Sequence, residues 1–357
     1  MLTLTDGNVT MRPTPNAQRP TPNVNSCPKS DDTIHVAFGI SDPKGTYSQH
    51  AGVVMTSIFE NTHSKITVHI IHDDTLTKDN RRKFIRTAEK YSQRVEFHDV
   101  TEYRPLIEEK QYAYFPYVVG TLYILLIPDV INTSKVIYFD CDIIVNLDVA
   151  ELWNADTENC CIAGVQFLSN RSPRAGSTVR SWLMGCSAKT YINSGVVVMN
   201  IPLIREKGSL LQRSLKWMER YAHLMLFADQ DILNGLFHGS IKLLDSKFNF
   251  LGAKSADRDF TGEGSIIHLA GPHNAAWEIE GFYYQRLYWK YYLHSAWGEN
   301  KSSAELIDAI SSYAKVKSAE KNSLWVRFKK RSRQLRLLSK YVLSEIFYRA
   351  KFIFARR

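Results

Sequence analysis

The stretch "KVIYFDCDIIVNLD" (residues 135–148) decides how the chain is read: an apolar run ends on two aspartates, Asp140 and Asp142, with one residue between them. An apolar segment without polar alternation is the pattern of a strand buried on both faces, as in a parallel sheet covered by helices. Ligands of such sheets bind outside the carboxyl ends of the strands, and the two carboxylates stand at one of those ends. Alternation along a strand aims both at one side and turns Cys141 away into the core. Two carboxylates so placed repel each other unless a cation lies between them. Oxygen donors suit Mg²⁺ or Mn²⁺, and one added imidazole tilts the choice toward Mn²⁺. The plainer alternative is a solvated strand end with a turn-favouring Asp.

Upstream, "TIHVAFGI" (33–40), "ITVHIIHD" (66–73) and "RVEFHDV" (94–100) read as strands. Between them, "AGVVMTSIFENT" (51–62) and "TKDNRRKFIRTAEKYS" (77–92) read as helices, the second opened by a Thr cap. Strand, helix, strand, helix, strand is the signature of a parallel sheet with right-handed crossovers. Downstream elements are "CCIAGVQFL" (160–168), "YINSGVVVMNI" (191–201), a helix near 209–224, "ADQDILNGLF" (228–237), "SIIHLAGPHNAAW" (265–277) and an aromatic helix within 282–297. The fold class is therefore α/β, a mainly parallel central sheet flanked by helices.

The 357 residues suffice for one large α/β domain or two small ones. No stretch reaches the roughly 18 uncharged apolar residues of a membrane span. The start lacks the basic, apolar, small-residue order of an export signal, so export is not expected. Five cysteines (Cys27, Cys141, Cys160, Cys161, Cys186) fit neither a disulfide framework nor a zinc spacing, which points to a reducing cytosol. Residues 315–357 hold 14 of the 45 basic residues and 2 of the 36 acidic ones, so +12 sits there and the remainder carries −3. A mildly acidic body is not that of a nucleic-acid binder, and no nucleic-acid partner is expected. Residues 1–32 carry "RPTPN" twice, and such proline density predicts a disordered lead.

The segment 135–153 resembles the metal-binding segment of family 8 glycosyltransferases, the retaining enzymes related to lipopolysaccharide galactosyl- and glucosyltransferases and glycogenin. The likeness extends over roughly residues 33–300 and includes "SDPKGTYSQHAGVVMTSIFENT" (41–62), "GTLYILLIPDV" (120–130), "INSGVVVMN" (192–200), "ADQDILN" (228–234) and "HLAG" (268–271) in the family's order. The resemblance implies a GT-A-type nucleotide-binding fold, a UDP-sugar donor and Mn²⁺, with Mg²⁺ as the alternative ion. It implies Asp140, Asp142 and His268 as metal ligands, with Cys141, Gly271 and Asn274 beside the nucleotide. Asp42 and Tyr47 match the loop that holds uracil and ribose. Asn193 and Ser194 match the segment at the donor sugar, and Asp229 and Gln230 the pair below its anomeric carbon. Those last two could otherwise be acidic or polar first-turn residues of a helix. Retention requires an oxocarbenium-like state. The favoured reading is front-face attack, with the leaving phosphate helping to deprotonate the acceptor and Gln230 stabilising charge.

Two positions depart from the family pattern. Ile124 stands where the family usually has Arg, and Asn274 where it has a phosphate-binding Lys; His273, Lys254 or Arg258 would have to substitute. The resemblance thus leaves two expectations: an active Mn²⁺-dependent hexosyltransferase, or a weakened or inactive sugar-nucleotide-binding member at the membrane. Residues 324–353 place Leu324, Phe328, Leu335, Leu338, Val342, Ile346 and Ile353 on one side and Lys/Arg on the other. That pattern fits a basic amphipathic helix on an anionic membrane surface, alongside the alternatives of a helix packed on the body or one binding RNA. The expected organisation is a lead (1–32), a catalytic domain (33–300) and a basic helical tail (301–357). The expected setting is cytoplasmic, on the inner face of the membrane, with a glycan or lipid-linked acceptor.

Overall fold

The computed structural model describes residues 33–112, 119–167, 178–251, 261–269, 283–299 and 301. The lead 1–32, the amphipathic segment 324–353, and Gly271, Asn274, His273, Lys254 and Arg258 lie outside the described residues. Strand β1 (Ile34–Ile40) leads into α1 (Ser48–Asn61), β2 (Ile66–His72), α2 (Lys78–Lys90) and β3 (Arg94–Asp99), the expected alternation. The Thr77 side chain caps α2 by accepting from the Asn80 amide at 3.1 Å. After α3 (Arg104–Tyr112) come a 3₁₀ stretch (Val119–Leu126), α4 (Ile127–Val130), β4 (Lys135–Phe139) and β5 (Ile143–Asn146). The second half runs through α5 (Ala150–Trp153), β6 (Ile162–Gln166), α6 (Thr178–Leu183), β7 (Ile192–Asn200) and α7 (Ile201–Glu206). It continues with α8 (Leu210–Tyr221), α9 (Ala228–Leu236), β8 (Ile241–Leu244), β9 (Ser265–His268) and α10 (Tyr283–His294).

Among the described residues, seven strands form one sheet in the order β3-β2-β1-β4-β7-β6-β8. Its pairings are parallel except where β7 meets β4 and β6. The sheet is mainly parallel as expected, with "INSGVVVMN" running against it. β4 explains the unbroken apolar run: Ile137 and Phe139 enter one core cluster, Val136 and Tyr138 the other. Both faces of the strand are covered, so neither tolerates polar alternation.

Beyond Phe139 the chain leaves this sheet, and β5 pairs antiparallel with β9 in a separate ribbon that sets Ile143 opposite His268. Helix α1 anchors that ribbon. Ser57 Oγ accepts from the Val145 amide at 3.1 Å, and Asn61 Nδ2 donates to the Val145 carbonyl at 3.0 Å and to Tyr291 Oη at 2.9 Å. The same helix meets the aromatic end of the body closely. A Cβ on Gly52 would lie 2.3 Å from the Trp297 ring, so only glycine permits this approach. Glycine inside a helix costs about 1 kcal/mol relative to alanine; burial of Trp297 and Tyr291 offsets it.

Candidate functional site

Because β4 stops at Phe139, Asp140, Cys141 and Asp142 form the turn into β5 rather than a continuing strand. The two carboxylates still converge, but strand alternation is not the reason. The turn is held by the Asp140 amide donating to the Gly195 carbonyl at 2.9 Å and the Leu269 amide donating to the Asp142 carbonyl at 3.0 Å. The β5–β9 register then carries in the third group. His268 Nε2 lies 3.1 Å from Asp142 Oδ1 and 3.8 Å from Asp140 Oδ2. One ligand atom from each of the three falls within 4.8 Å of the others.

These residues fit a divalent cation. His268 is buried, and its Nδ1 donates to Asn249 Oδ1 at 2.8 Å, which directs Nε2 to the carboxylates. A second hydrogen bond of this kind is how proteins orient metal-binding imidazoles. Gly195 makes room for the ring: a Cβ there would sit 2.1 Å from His268 Cε1. The charges are strained as expected for paired carboxylates. Burial and the Asp142 charge push Asp140 up to about 6. Burial also pushes Asp142 upward, but His268, a backbone hydrogen bond and His50 together hold that carboxyl below its usual range. Burial lowers His268 in turn, but Asp142, Asp140 and Asp229 together raise the imidazole above its ordinary value.

A pH dependence follows from these directions. A cation must displace the protons held by His268 and Asp140, so Mn²⁺ affinity should already fall as pH drops through the range of the raised imidazole, and more steeply below about 6, where Asp140 takes up its proton as well. The stability contribution has the opposite sign. A carboxyl whose folded pKa is raised binds its proton more tightly when folded, so Asp140 stabilises the metal-free fold at low pH and loses that contribution as pH rises through about 6. Mn²⁺ titrations between pH 5 and 8, followed by calorimetry, check the fall and its steepening below about 6.

Next to this triad, an unbroken series of donors runs in one direction. Asn249 Nδ2 donates to Asn193 Oδ1 at 2.8 Å, and Asn193 Nδ2 donates to Gln230 Oε1 at 2.8 Å. Gln230 Nε2 then donates to Tyr191 Oη at 3.3 Å, and Tyr191 donates to Asp231. Asp231 closes the series by accepting from the Leu226 and Phe227 amides, each at 2.7 Å. Helix α9 is tied to β7 by Asn234, which bonds both the amide and the carbonyl of Ile192 at 2.8 Å. Ser194 donates to Asp229, yet burial and the Asp140 charge push Asp229 up to about 7. The structure therefore brings Asn193, Ser194, Asp229 and Gln230 together beside Asp140. None of them caps α9, whose preceding residue is Phe227.

Asp140 also borders a cleft of about 360 Å³, lined by Asp42, Lys44, Tyr47, His50, Tyr138 and Cys141 among others. Tyr47 is 41 % exposed and presents its ring there. Cys141 packs in the core and also borders the cleft, with its side chain hydrogen-bonded to Tyr47. Asp42 borders the cleft as well and is held in place by the chain around it. Its carboxylate already accepts from the Tyr47 amide, the Ser48 amide, Ser48 Oγ and Asn80 Nδ2, at 2.8, 2.8, 2.7 and 3.2 Å. It therefore folds the loop and starts α1. Ile124 is fully buried in a core cluster, away from the cleft lining.

Sequence reasoning missed Asn249, Tyr191, Asp231, Gly195 and the pair Asp73–Tyr123. Asp73 directly follows β2, is buried, and accepts from Ser41 Oγ at 2.7 Å and Tyr123 Oη at 2.8 Å, bracing the loop that carries Asp42. The acidic "HDD" after a strand was the available signal for Asp73.

The sequence profile described as Glycosyl transferase family 8 matches residues 35–278. A Haemophilus influenzae protein with a provisional glycosyltransferase name is 29 % identical over 233 residues, 63 % of this chain and 66 % of that protein. The matched stretch thus spans just under two thirds of that relative's length. General stress protein A of Bacillus subtilis is 24 % identical over 230 residues, covering 62 % of this chain and 75 % of its own. Among solved structures, the galactosyltransferase LgtC, crystallised with donor and acceptor sugar analogues, is similar in fold. Its TM-score is 0.61 at 21 % identity, over 78 % of this chain and 99 % of that one.

Proposed function

The chain belongs to glycosyl transferase family 8, and from that premise we propose that it moves a hexose, with retention, from a UDP-sugar to a saccharide or lipid-linked acceptor. The observation that carries this reading is the convergence of Asp140, Asp142 and His268 between a nucleotide-sized cleft and a cluster of fixed polar side chains. Asp140, Asp142 and His268 would hold Mn²⁺, or Mg²⁺ in its place. Such an ion supplies charge neutralisation to the departing diphosphate.

The chain's own residues do the rest. Tyr47 offers its ring to the base at the mouth of the cleft. Lys44, on the same lining, offers the diphosphate a cation where Ile124 and Asn274 offer none. Asn193 and Ser194 face the donor sugar. Asp229, part protonated near neutral pH, can donate to a sugar hydroxyl as well as accept from one. Gln230 Oε1, held by Asn193, stabilises positive charge at the anomeric carbon without forming a lasting bond. The acceptor then attacks from the leaving-group face.

Screening UDP-sugars against the full chain with simple glycan acceptors tests this. UDP release that needs both Mn²⁺ and an acceptor, and that stops on chelation, is expected for at least one UDP-hexose. Failure of every UDP-sugar to bind or turn over would end the proposal. We place the catalytic unit at residues 33–300 and the acceptor at an anionic membrane surface reached through residues 324–353. Among the described residues, no helix is long and apolar enough to cross a membrane. Full-length protein should sediment with phosphatidylserine-containing vesicles and lose part of that association in high salt. Equal sedimentation with neutral vesicles would remove the electrostatic contact.

A further inference from the structure

Three titratable side chains on β2 and β3, outside the site described above, converge on one point. His69 is buried in the middle of β2, and the parallel register sets it opposite Glu96 on β3. His98 is two residues further along β3, so it projects from the same face of the sheet as Glu96. His69 Nδ1 lies 3.0 Å from His98 Nε2 and 3.4 Å from Glu96 Oε2. One ligand atom from each falls within 4.8 Å of the other two.

We propose that His69, Glu96 and His98 form a second divalent-metal site, suited to Zn²⁺. Donors about 2.0–2.1 Å from a tetrahedral zinc are separated by about 3.3 Å, and the two measured separations, 3.0 and 3.4 Å, bracket that value. Two imidazoles and one carboxylate make a three-ligand zinc set with a fourth position open to water. Protons alone serve this cluster poorly. Burial, reinforced by His35, His98 and Arg94, keeps His69 neutral far below neutral pH, and burial lowers His98 as well. The 3.0 Å contact between His69 Nδ1 and His98 Nε2 takes one proton, from whichever imidazole carries it, and Glu96 Oε2 faces the same Nδ1 at 3.4 Å. Either His98 Nε2 and Glu96 Oε2 share that proton, or one contact sets lone pair against lone pair. A cation satisfies all three at once.

The surroundings match a ligand set held from behind. The other ring nitrogen of His69, Nε2, lies 2.9 Å from His35 Nδ1 on β1, a contact that fixes the imidazole's orientation. Arg94 takes Glu96 Oε1 at 2.7 Å and leaves Oε2 to the cluster. Glu96 is 33 % exposed, so an ion has an approach from solvent. Since β3 is an edge strand of the large sheet, a metal there would clip that edge to β2.

The test titrates Zn²⁺ alone into the full chain, with calorimetry and thermal melting as readouts. Wild-type protein should show a zinc-dependent rise in melting temperature that Asp142→Asn retains. His98→Gln should weaken the corresponding binding event at least about tenfold and lose the rise. Far-UV circular dichroism without metal establishes that His98→Gln is folded, and Glu96→Gln replaces it if it is not. An unchanged isotherm in the folded variant overturns the proposal. So does loss of the event in Asp142→Asn, which would place the ion at the first site, or the absence of any zinc event in wild type.

Discussion

Asp142→Asn should lower kcat for sugar transfer at least about a hundredfold and leave the folded state in place. The size of the loss follows from the position of the group. Asp142 Oδ1 is 3.1 Å from His268 Nε2, and the two hold each other in their charged forms against burial. An amide at this position keeps the volume and removes the charge. The triad then loses a ligand, and His268 loses the carboxylate that its Nε2 faces at 3.1 Å. Removing one group that stabilises developing negative charge commonly costs a factor of 10² to 10³. The fold should survive because the Asp142 carbonyl, not its carboxylate, accepts from Leu269, and that backbone bond is untouched. Initial rates at saturating Mn²⁺ and UDP-sugar, with a melting curve on the same preparation, provide the measurement. A variant with more than a tenth of wild-type kcat would exclude a catalytic metal at this turn.

Gly195→Ala should be nearly as damaging, although residue 195 carries no reactive group. Its new Cβ would meet His268 at 2.1 Å from Cε1, 2.6 Å from Nδ1 and 2.9 Å from Nε2. The ring cannot stay where it is. It sits 2.8 Å from Asn249 on one side and 3.1 Å from Asp142 on the other, so any displacement breaks one of those contacts. Disturbing the partners that orient a metal-binding imidazole costs about 10- to 100-fold in affinity. Mn²⁺ titration followed by electron paramagnetic resonance should show a loss in that range. Wild-type affinity would mean that His268 is not a ligand.

The alternation of strands and helices was legible from local periodicity, because β1, α1 and β2 are buried along almost their whole length, although the edge strand β3 has no fully buried residue. Asp140 and Asp142 were legible because charge directly after a buried strand is costly unless it serves something. His268 could be joined to them only through the order of motifs. Its partnership depends on the β5–β9 register, which links residues far apart in the chain. The reversed direction of β7 was hidden for the same reason, since a strand buried on both faces reads alike in either direction. Asn249 gave no signal: in "SKFNFLG" it is one amide among apolar neighbours. The loop-folding part of Asp42 was not legible, because the four donors on its carboxylate come from residues brought to it by the fold of the loop and by α2.

The one-way series of donors from His268 through Asn249, Asn193, Gln230 and Tyr191 to Asp231 has a bearing on ion choice. The imidazole that would grip the cation and the amide that would face the transferred sugar belong to one taut frame, anchored at its far end by the Leu226 and Phe227 amides. An ion of the wrong radius cannot be accommodated locally, because moving the imidazole drags the amide with it. Discrimination among cations is then expressed in turnover more than in occupancy: two ions that fill the site equally well would leave the sugar aligned in one case and askew in the other.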